Sequence, residues 1–241
     1  MNIVVPLAGK DSRFPDLPKP LINIGGKLLI HRILERHRIA PGDQLIFVVL
    51  QEHEKKFSIS EKLQAEFGAR VIVRALARET QGAPCSILEG ARDLIDNDTD
   101  LLIELGDVLR KLDRLYADIE RLRGQVAGII PVERQAMSRR PWGHVLLDEK
   151  GNAKELREKE EIPSSDLATM GLYYFSRGRD FVHAAEEMIQ NKNFLYKEMF
   201  FVGPVYNEMI REEICVAISE NKIEAVLGSS EKITRFSKNL N

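Results

Sequence analysis

The first half of the chain alternates short apolar runs with stretches of helical periodicity, and this alternation limits the possible folds more than any other feature. Apolar runs of strand length occupy residues 3–7, 44–50, 70–74, 101–105 and 126–132. Helical patterns lie between them at residues 28–39, 58–67, 83–95 and 112–122. Strands joined through a helix form right-handed crossovers and run parallel, so this order predicts an α/β fold around a mostly parallel sheet.

The pattern changes after residue 132. Residues 143–147 and 153–157 flank a polar turn sequence, which predicts a β-hairpin. A strand at 169–175, helices at 181–189, 201–210 and 231–236, and two short strands complete the chain. No Pro/Gly/Ser linker divides the sequence, so we predict one domain over residues 1–241 with two halves, 1–132 and 133–241.

Two local features of the predicted helices are testable against a structure. Ser58 and Glu61 have the spacing of a capping box, which predicts that a helix begins at Ser58. His31 and His37 lie on a charged helical segment, and we expect both on the protein surface.

Composition excludes several classes of function. The chain has 35 Lys and Arg against 37 Asp and Glu, a net charge of −2, so we expect no general binding to nucleic acid or to membrane surfaces. No apolar run approaches the roughly 18 residues of a membrane span. The two cysteines, Cys85 and Cys215, provide no disulfide framework, and the N-terminus does not resemble a signal peptide. The expected location is the cytoplasm.

The turn after the first predicted strand has the composition of a phosphate-binding loop. Small residues there let backbone N–H groups approach a ligand, and two cations follow on the same loop. The prolines on either side of Lys19 stiffen its support. Neither a dinucleotide-binding nor a Walker motif is present, and an ordinary solvated surface loop is the alternative. The candidate residues are Leu7, Ala8, Gly9, Lys10, Arg13 and Lys19.

Asp107 follows the predicted strand at 101–105, where ligands of parallel sheets gather. A carboxylate at this edge is suited to Mg²⁺, a hard cation that takes oxygen ligands. The alternative is that Asp107 is simply a turn residue before the next element.

Seven stretches resemble, in order, the sugar-phosphate nucleotidyltransferases, and the resemblance covers nearly the whole chain. It is nearest to the branch associated with capsule and cell-surface polysaccharides. The resemblance implies a GT-A-like, Rossmann-like three-layer α/β/α fold with a mostly parallel mixed sheet. The stretches are VVPLAGKDSRFPDLPKPLINIGGKLLIHRI, ETQGAPCSIL with LLIELGD, WGHVLLDEKGNAKELREK, TMGLYYFSRGRDFV, FFVGPVYNEMI and VLGSSEKITRF.

The resemblance also implies an activity: an NMP group passes from an NTP, expected to be a pyrimidine nucleotide, to a sugar 1-phosphate or similar acceptor, and pyrophosphate leaves. The first half then binds the nucleotide and the second half the acceptor. Arg13 and Lys19 become catalytic, and Leu7 to Lys10 contact phosphate. By the same resemblance, Gln81 and Gly82 lie against the base, Asp107 and Asn207 bind Mg²⁺, and Glu158, Lys159 and Gly171 hold the acceptor.

Departures from the family pattern keep other functions open. Asp11 replaces a loop glycine, and its carboxylate would repel a triphosphate. Met199 stands where a glutamate is expected. The alternatives are a cytidylyltransferase for a non-sugar phosphate or phosphonate, an A-type glycosyltransferase, and a catalytically silent nucleotide-binding homologue. The sequence reads Asp107-Val108-Leu109, not the Asp-x-Asp of the glycosyltransferases. Relatives commonly form homodimers, which is a further expectation.

Overall fold

The computed structural model describes residues 1–10, 14, 17–134, 142–159 and 165–238. The strands are β1 (Asn2–Leu7), β2 (Asn23–Ile24), β3 (Lys27–Leu28), β4 (Gln44–Leu50), β5 (Val71–Leu76), β6 (Leu101–Glu104), β7 (Val108–Lys111), β8 (Gly128–Arg134), β9 (His144–Leu147), β10 (Ala153–Arg157), β11 (Leu167–Thr169), β12 (Leu172–Phe175), β13 (Val216–Glu220) and β14 (Lys222–Val226). The helices are α1 (Leu29–Leu34), α2 (Gln51–Phe57), α3 (Ile59–Phe67), α4 (Ala83–Ile95), α5 (Asp113–Leu122), α6 (Gly178–Gln190), α7 (Val205–Arg211) and α8 (Ser230–Lys238).

A ten-stranded mixed sheet organises the described residues, in the order β10-β9-β11-β8-β12-β6-β1-β4-β5, with β13 paired to β8. Strands β6, β1, β4 and β5 run parallel, as predicted for the first half. Strands β10, β11 and β12 run opposite to the rest of the sheet. Two small antiparallel sheets, β14-β7 and β2-β3, complete the pairing.

Alternating side chains of β1 enter two different cores, which makes the fold three-layered. Val4 packs into the core beneath α4, α6 and α7. Ile3 and Val5 pack into the opposite core, beneath α1, α3 and α5. Because β1 is buried on both faces, its sequence is apolar from Ile3 to Leu7, as expected for a central parallel strand. The predicted three-layer α/β/α fold is therefore confirmed.

Most predicted elements are present, with differences that have local causes. The bounds of β4 and α4 match the predicted 44–50 and 83–95. The predicted strand at 169–175 is two strands, β11 and β12, because Gly171 between them adopts a left-handed φ of 70°. Helix α1 ends at Leu34, earlier than expected, and α2 and β7 were not predicted.

The predicted capping box at Ser58 is wrong, although α3 does begin next to it. Ser58 is left-handed, with a φ of 47°, and its side chain makes no capping hydrogen bond. The Glu54 carboxylate of the preceding helix accepts the Ser60 N–H instead, at 3.0 Å. A carboxylate from a neighbouring helix thus replaces the local cap.

No helix among the described residues is long and apolar enough to cross a membrane.

Helix α6 begins against the end of α4, and Gly178 permits this contact. A Cβ atom at Gly178 would lie 2.0 Å from the Ile95 carbonyl oxygen. The Gly178 N–H also donates to Thr99 O at 2.9 Å, which fixes the start of the helix.

We expect Gly178→Ala to destabilise the protein by about 1–3 kcal/mol, because backbone must shift to admit the methyl group. Urea unfolding measures the change in the free energy of unfolding. Gly42→Ala is the matched control, since a Cβ there meets nothing within 4 Å. A Gly178→Ala protein as stable as the Gly42→Ala protein would contradict this packing.

Candidate active site

A cavity of about 900 Å³ opens beyond the carboxyl ends of β1, β4 and β6. This is the edge at which parallel α/β sheets bind ligands. Four of the residues predicted from the sequence line it: Leu7, Gly9, Lys10 and Lys19. Helix α2, which was not predicted, contributes a further wall that includes His53 and Lys56.

Lys19 and Asp107 meet at this edge although 88 residues separate them. The Lys19 Nζ atom lies 3.2 Å from Asp107 Oδ2. Lys19 lies between Pro18 and Pro20 and is the first residue of a short 3-10 turn, 19–21. The Pro20 and Leu21 side chains of this turn are buried. The Lys19 side chain is 13% exposed and that of Asp107 32%. The largely buried ammonium group of Lys19 and the partly exposed carboxylate of Asp107 therefore lie side by side.

The turn that carries Asp107 is fixed by its neighbours on both sides. Gly106 has a left-handed φ of 77°, which turns the chain out of β6. The Asp107 carbonyl oxygen accepts the Leu227 N–H at 2.8 Å. These contacts hold the backbone, and they leave the carboxylate facing Lys19.

The chemistry of Asp107 suits one ligand of a magnesium ion whose other ligands would come from substrate and water. The described residues contain no cluster of three or more His, Cys, Asp or Glu side chains able to hold a metal by themselves. Mg²⁺ is commonly bound by one or two carboxylates together with substrate phosphates and water. Asp107, accessible at the sheet edge, supplies one such oxygen donor.

Asn207, the other predicted ligand, has a structural role. Its Oδ1 atom accepts the Leu156 N–H at 2.7 Å, and its Nδ2 donates to Leu156 O at 2.7 Å. The residue is 4% exposed. Because both ends of the amide bond to β10, the side chain holds α7 against the sheet, and we leave it out of the proposed metal site.

The Lys10 backbone is already hydrogen-bonded. Its N–H donates to Glu79 Oε1 at 2.6 Å, and its Nζ lies 2.8 Å from Glu52 Oε1. The Glu52 carboxylate raises the pKa of Lys10, and Lys10 lowers that of Glu52. A polyphosphate on this amide would therefore have to displace Glu79. Ala8 is buried next to this turn. Arg13 and Asp11 lie outside the described residues.

Gln81 and Gly82 form the approach to α4. Gly82 has a φ of 119°, and a Cβ there would lie 2.1 Å from Phe200 O. Phe200 N–H donates to Gln81 O at 2.7 Å. Only glycine fits at position 82, because the backbone of Phe200 passes so close to it. The contact of this turn with a nucleotide base stays a prediction.

Glu158 points into the fold, although its sequence surroundings are highly charged. A Cβ at Gly143 would lie 2.8 Å from Glu158 Oε1, and a Cβ at Gly203 would lie 3.0 Å from it, so two glycines make room for the carboxylate. Burial raises the pKa of Glu158 to about 7, against the opposing effect of Lys159. Lys159 adopts a left-handed φ of 57°, and its Nζ lies 5.2 Å from the centre of the Phe201 ring.

Gly171 joins the second half of the chain to the edge that carries Asp107. Its carbonyl oxygen accepts the Leu105 N–H at 3.0 Å. A Cβ at Gly171, whose φ is 70°, would lie 3.4 Å from Arg110 Nη2. The backbone here is close to β6, but contact with an acceptor stays a prediction.

Sequence reasoning missed a buried polar network beneath this edge. His37, expected on the surface, is 8% exposed, and its ring nitrogens lie 3.0 Å from Tyr116 Oη and 3.1 Å from Glu104 Oε2. Arg110 Nη1 donates to the same Glu104 oxygen at 2.7 Å. The available signal was Glu104 itself, a carboxylate that closes an otherwise apolar strand.

The fold and the sheet edge define an α/β protein with a candidate ligand site at the carboxyl ends of its parallel strands, and comparison with known proteins identifies its family. Residues 14–212 match the model of the nucleotidyl transferase family. This chain belongs to that family. Membership favours nucleotidyl transfer over the A-type glycosyltransferase alternative.

Two relatives align with about three quarters of this chain. The bifunctional protein GlmU of Methanocaldococcus jannaschii is 29% identical over 183 residues, which are 73% of this chain and 40% of that protein. The UTP–glucose-1-phosphate uridylyltransferase AglF of Haloferax volcanii is 28% identical over 187 residues, 73% of this chain and 72% of that protein. The match thus spans less than half the length of the Methanocaldococcus protein.

A solved structure shows the same fold over its full length. The nucleoside-diphosphate-sugar pyrophosphorylase of Vibrio cholerae RC9 superposes with a TM-score of 0.81 at 20% identity, covering 99% of this chain and 100% of that one.

The raised pKa of Glu158 predicts a pH-dependent cost to stability. The ordinary value is 4.5 and the folded value about 7, so the folded state holds the proton longer than the unfolded state. Stability therefore falls as pH rises from about 4.5 to 7, by roughly 1–2 kcal/mol, since the half-buried side chain keeps part of its solvation. Glu158→Gln removes this cost, and we expect it to raise the Tm at pH 8 and leave it nearly unchanged near pH 4.5.

Glu155→Gln, in strand β10 just before Glu158, is the matched control with the opposite sign. Arg157 lowers the pKa of Glu155, so this variant should gain nothing at pH 8. Equal responses of the two variants across this pH range would contradict the interior position of Glu158.

Proposed function

We propose that this protein transfers an NMP group from a pyrimidine NTP to a sugar 1-phosphate and releases pyrophosphate. The observation that carries the proposal is the contact between Lys19 and Asp107 at the carboxyl edge of the parallel strands. Family membership supports the reaction type. The uridylyltransferase named among the relatives makes UTP and glucose 1-phosphate the first pair to test.

The transfer is an in-line displacement. An oxygen of the acceptor phosphate attacks the α-phosphorus of the NTP, forming one P–O bond. The bond from the α-phosphorus to the α–β bridging oxygen breaks, and its electron pair leaves with pyrophosphate. The acceptor phosphate is already a nucleophile, so no covalent enzyme intermediate is needed, and catalysis depends on positioning and charge stabilisation.

Lys19 would offset charge that develops on the phosphate oxygens. Its short helical turn holds the ammonium beside Asp107, which supports this role. Asp107 would hold Mg²⁺, which when bound neutralises phosphate charge. Arg13 is proposed to act with Lys19. The backbone of 7–10 would face the phosphates and the Gln81–Gly82 turn the base.

The acceptor half supplies groups of a different kind. Glu158, set between two glycines, is proposed to accept hydrogen bonds from sugar hydroxyls. Lys159 would pair with the acceptor phosphate, and Gly171 would let the sugar approach the backbone. The reaction would take place in the cytoplasm, and its product would be a sugar donor for surface-polysaccharide synthesis. The proposal also includes a homodimer.

The reaction is tested by measuring pyrophosphate release with Mg²⁺ and each of UTP, dTTP, CTP, GTP and ATP. Each nucleotide is combined with glucose 1-phosphate, N-acetylglucosamine 1-phosphate and phosphocholine. We expect turnover with one pyrimidine nucleotide and a sugar 1-phosphate, and loss of turnover with EDTA. Turnover confined to phosphocholine would indicate the non-sugar alternative. A thermal shift by NTP and Mg²⁺ without any pyrophosphate would indicate a silent homologue.

Lys19→Ala should lower kcat by about a hundredfold or more without unfolding the protein, because transition-state charge loses its stabilising cation. Steady-state kinetics and a melting curve measure the two effects. Lys62→Ala is the control, since that exposed lysine donates to the Phe57 carbonyl oxygen outside the proposed machinery. A folded Lys19→Ala enzyme with normal turnover would refute the role of Lys19.

A further inference from the structure

A buried ion pair lies directly beneath the turn of Asp107. Glu104, the last residue of β6, is 0% exposed, and Arg110 in β7 is 1% exposed. Their contact, Arg110 Nη1 to Glu104 Oε2, measures 2.7 Å. Moving two such charges out of water is costly, and a pair of apolar side chains often gives equal or greater stability. The arrangement is therefore better explained by the geometry it imposes.

Glu104 holds the donor side of the site. Its Oε1 atom accepts the Gly106 N–H at 2.8 Å. Gly106 is the left-handed residue that directs the chain into Asp107. The carboxylate thus fixes the turn from which Asp107 faces Lys19.

Arg110 holds the acceptor side with the rest of its guanidinium. Nε and Nη2 both donate to Met170 O, at 2.8 and 2.5 Å. The next residue, Gly171, accepts the Leu105 N–H through its carbonyl oxygen at 3.0 Å. One planar group thereby spans the last residue of β6 and the turn between β11 and β12.

His37 closes the network on its far side. Its ring bridges Glu104 Oε2 and Tyr116 Oη at 3.1 and 3.0 Å. The carboxylate of Glu104 therefore has an Arg, a His and a backbone N–H as partners, which leaves little freedom to its rotamer.

We propose that Glu104 and Arg110 are positioning residues for nucleotidyl transfer, which together fix the separation between the Asp107 turn and the Gly171 turn. They contact neither substrate, and they act through the backbone that each side chain holds. The inference rests on the proposed function. It adds that the donor and acceptor halves are aligned by one buried ion pair.

The test compares the wild-type enzyme with the double variant Glu104→Gln/Arg110→Met. Both charges are removed together, so no unpaired charge remains buried. We expect a folded protein whose kcat is about tenfold to a hundredfold lower, since a displacement near 1 Å can have that effect. The KM for the NTP should change less than threefold, and half-maximal activity should need more Mg²⁺.

Arg110→Lys provides the conservative comparison. Lysine keeps the charge opposite Glu104 but lacks the planar fork that bonds Met170 O twice. We expect kcat between those of the wild-type and double-variant enzymes, with the KM for the sugar phosphate raised more than that for the NTP.

Asp118→Asn is the control for loss of a buried carboxylate outside the proposed site. Asp118 is 3% exposed and bonds Arg114, Arg121 and Ser219 on α5 and β13. This variant should lower the Tm with kcat and both KM values unchanged. If the double variant shows the same result, a lower Tm with normal kinetics, the positioning role is refuted while the proposed function stands. Absence of turnover in the wild-type enzyme would overturn the proposed function and this inference with it.

Discussion

Strand β1 is hydrogen-bonded on both sides, to β4 and to β6, and the site depends on this position. The three strands run parallel, so their carboxyl ends reach the same edge of the sheet. The loop after β1 carries Lys19, and the loop after β6 carries Asp107. Two residues far apart in sequence therefore meet because the strands that precede them are neighbours, and no local sequence preference is needed to bring them together.

Close backbone contacts then connect the two halves of the chain. Gly178 lets α6 begin against the end of α4, and Gly82 lets residue 200 pass beside the approach to α4. Strand β12, from the second half, pairs with β6 from the first. The proposed acceptor residues are therefore built onto the same rigid sheet as Asp107. A reaction that depends on alignment of two substrates benefits from a single framework of this kind.

Much of the fold could be predicted because its signals are local. Strand β4 and helix α4 have the predicted bounds, since a run of apolar residues or a 3.6-residue period requires no knowledge of partners. The expectations that failed involve partners distant in sequence. Ser58 is replaced as a cap by Glu54, and His37 is drawn inside by Glu104 and Tyr116.

By itself the sequence determined the parallel first half, the loop with Lys19, and Asp107 after an apolar strand, because periodicity and the order of elements are written along the chain. Tertiary structure alone decided which polar groups share the interior. The burial of Glu158 within a charged run, and the joining of the two halves by Glu104 and Arg110, depend on desolvation and on hydrogen-bond partners from other strands. Desolvation and these hydrogen bonds arise only after the sheet has formed.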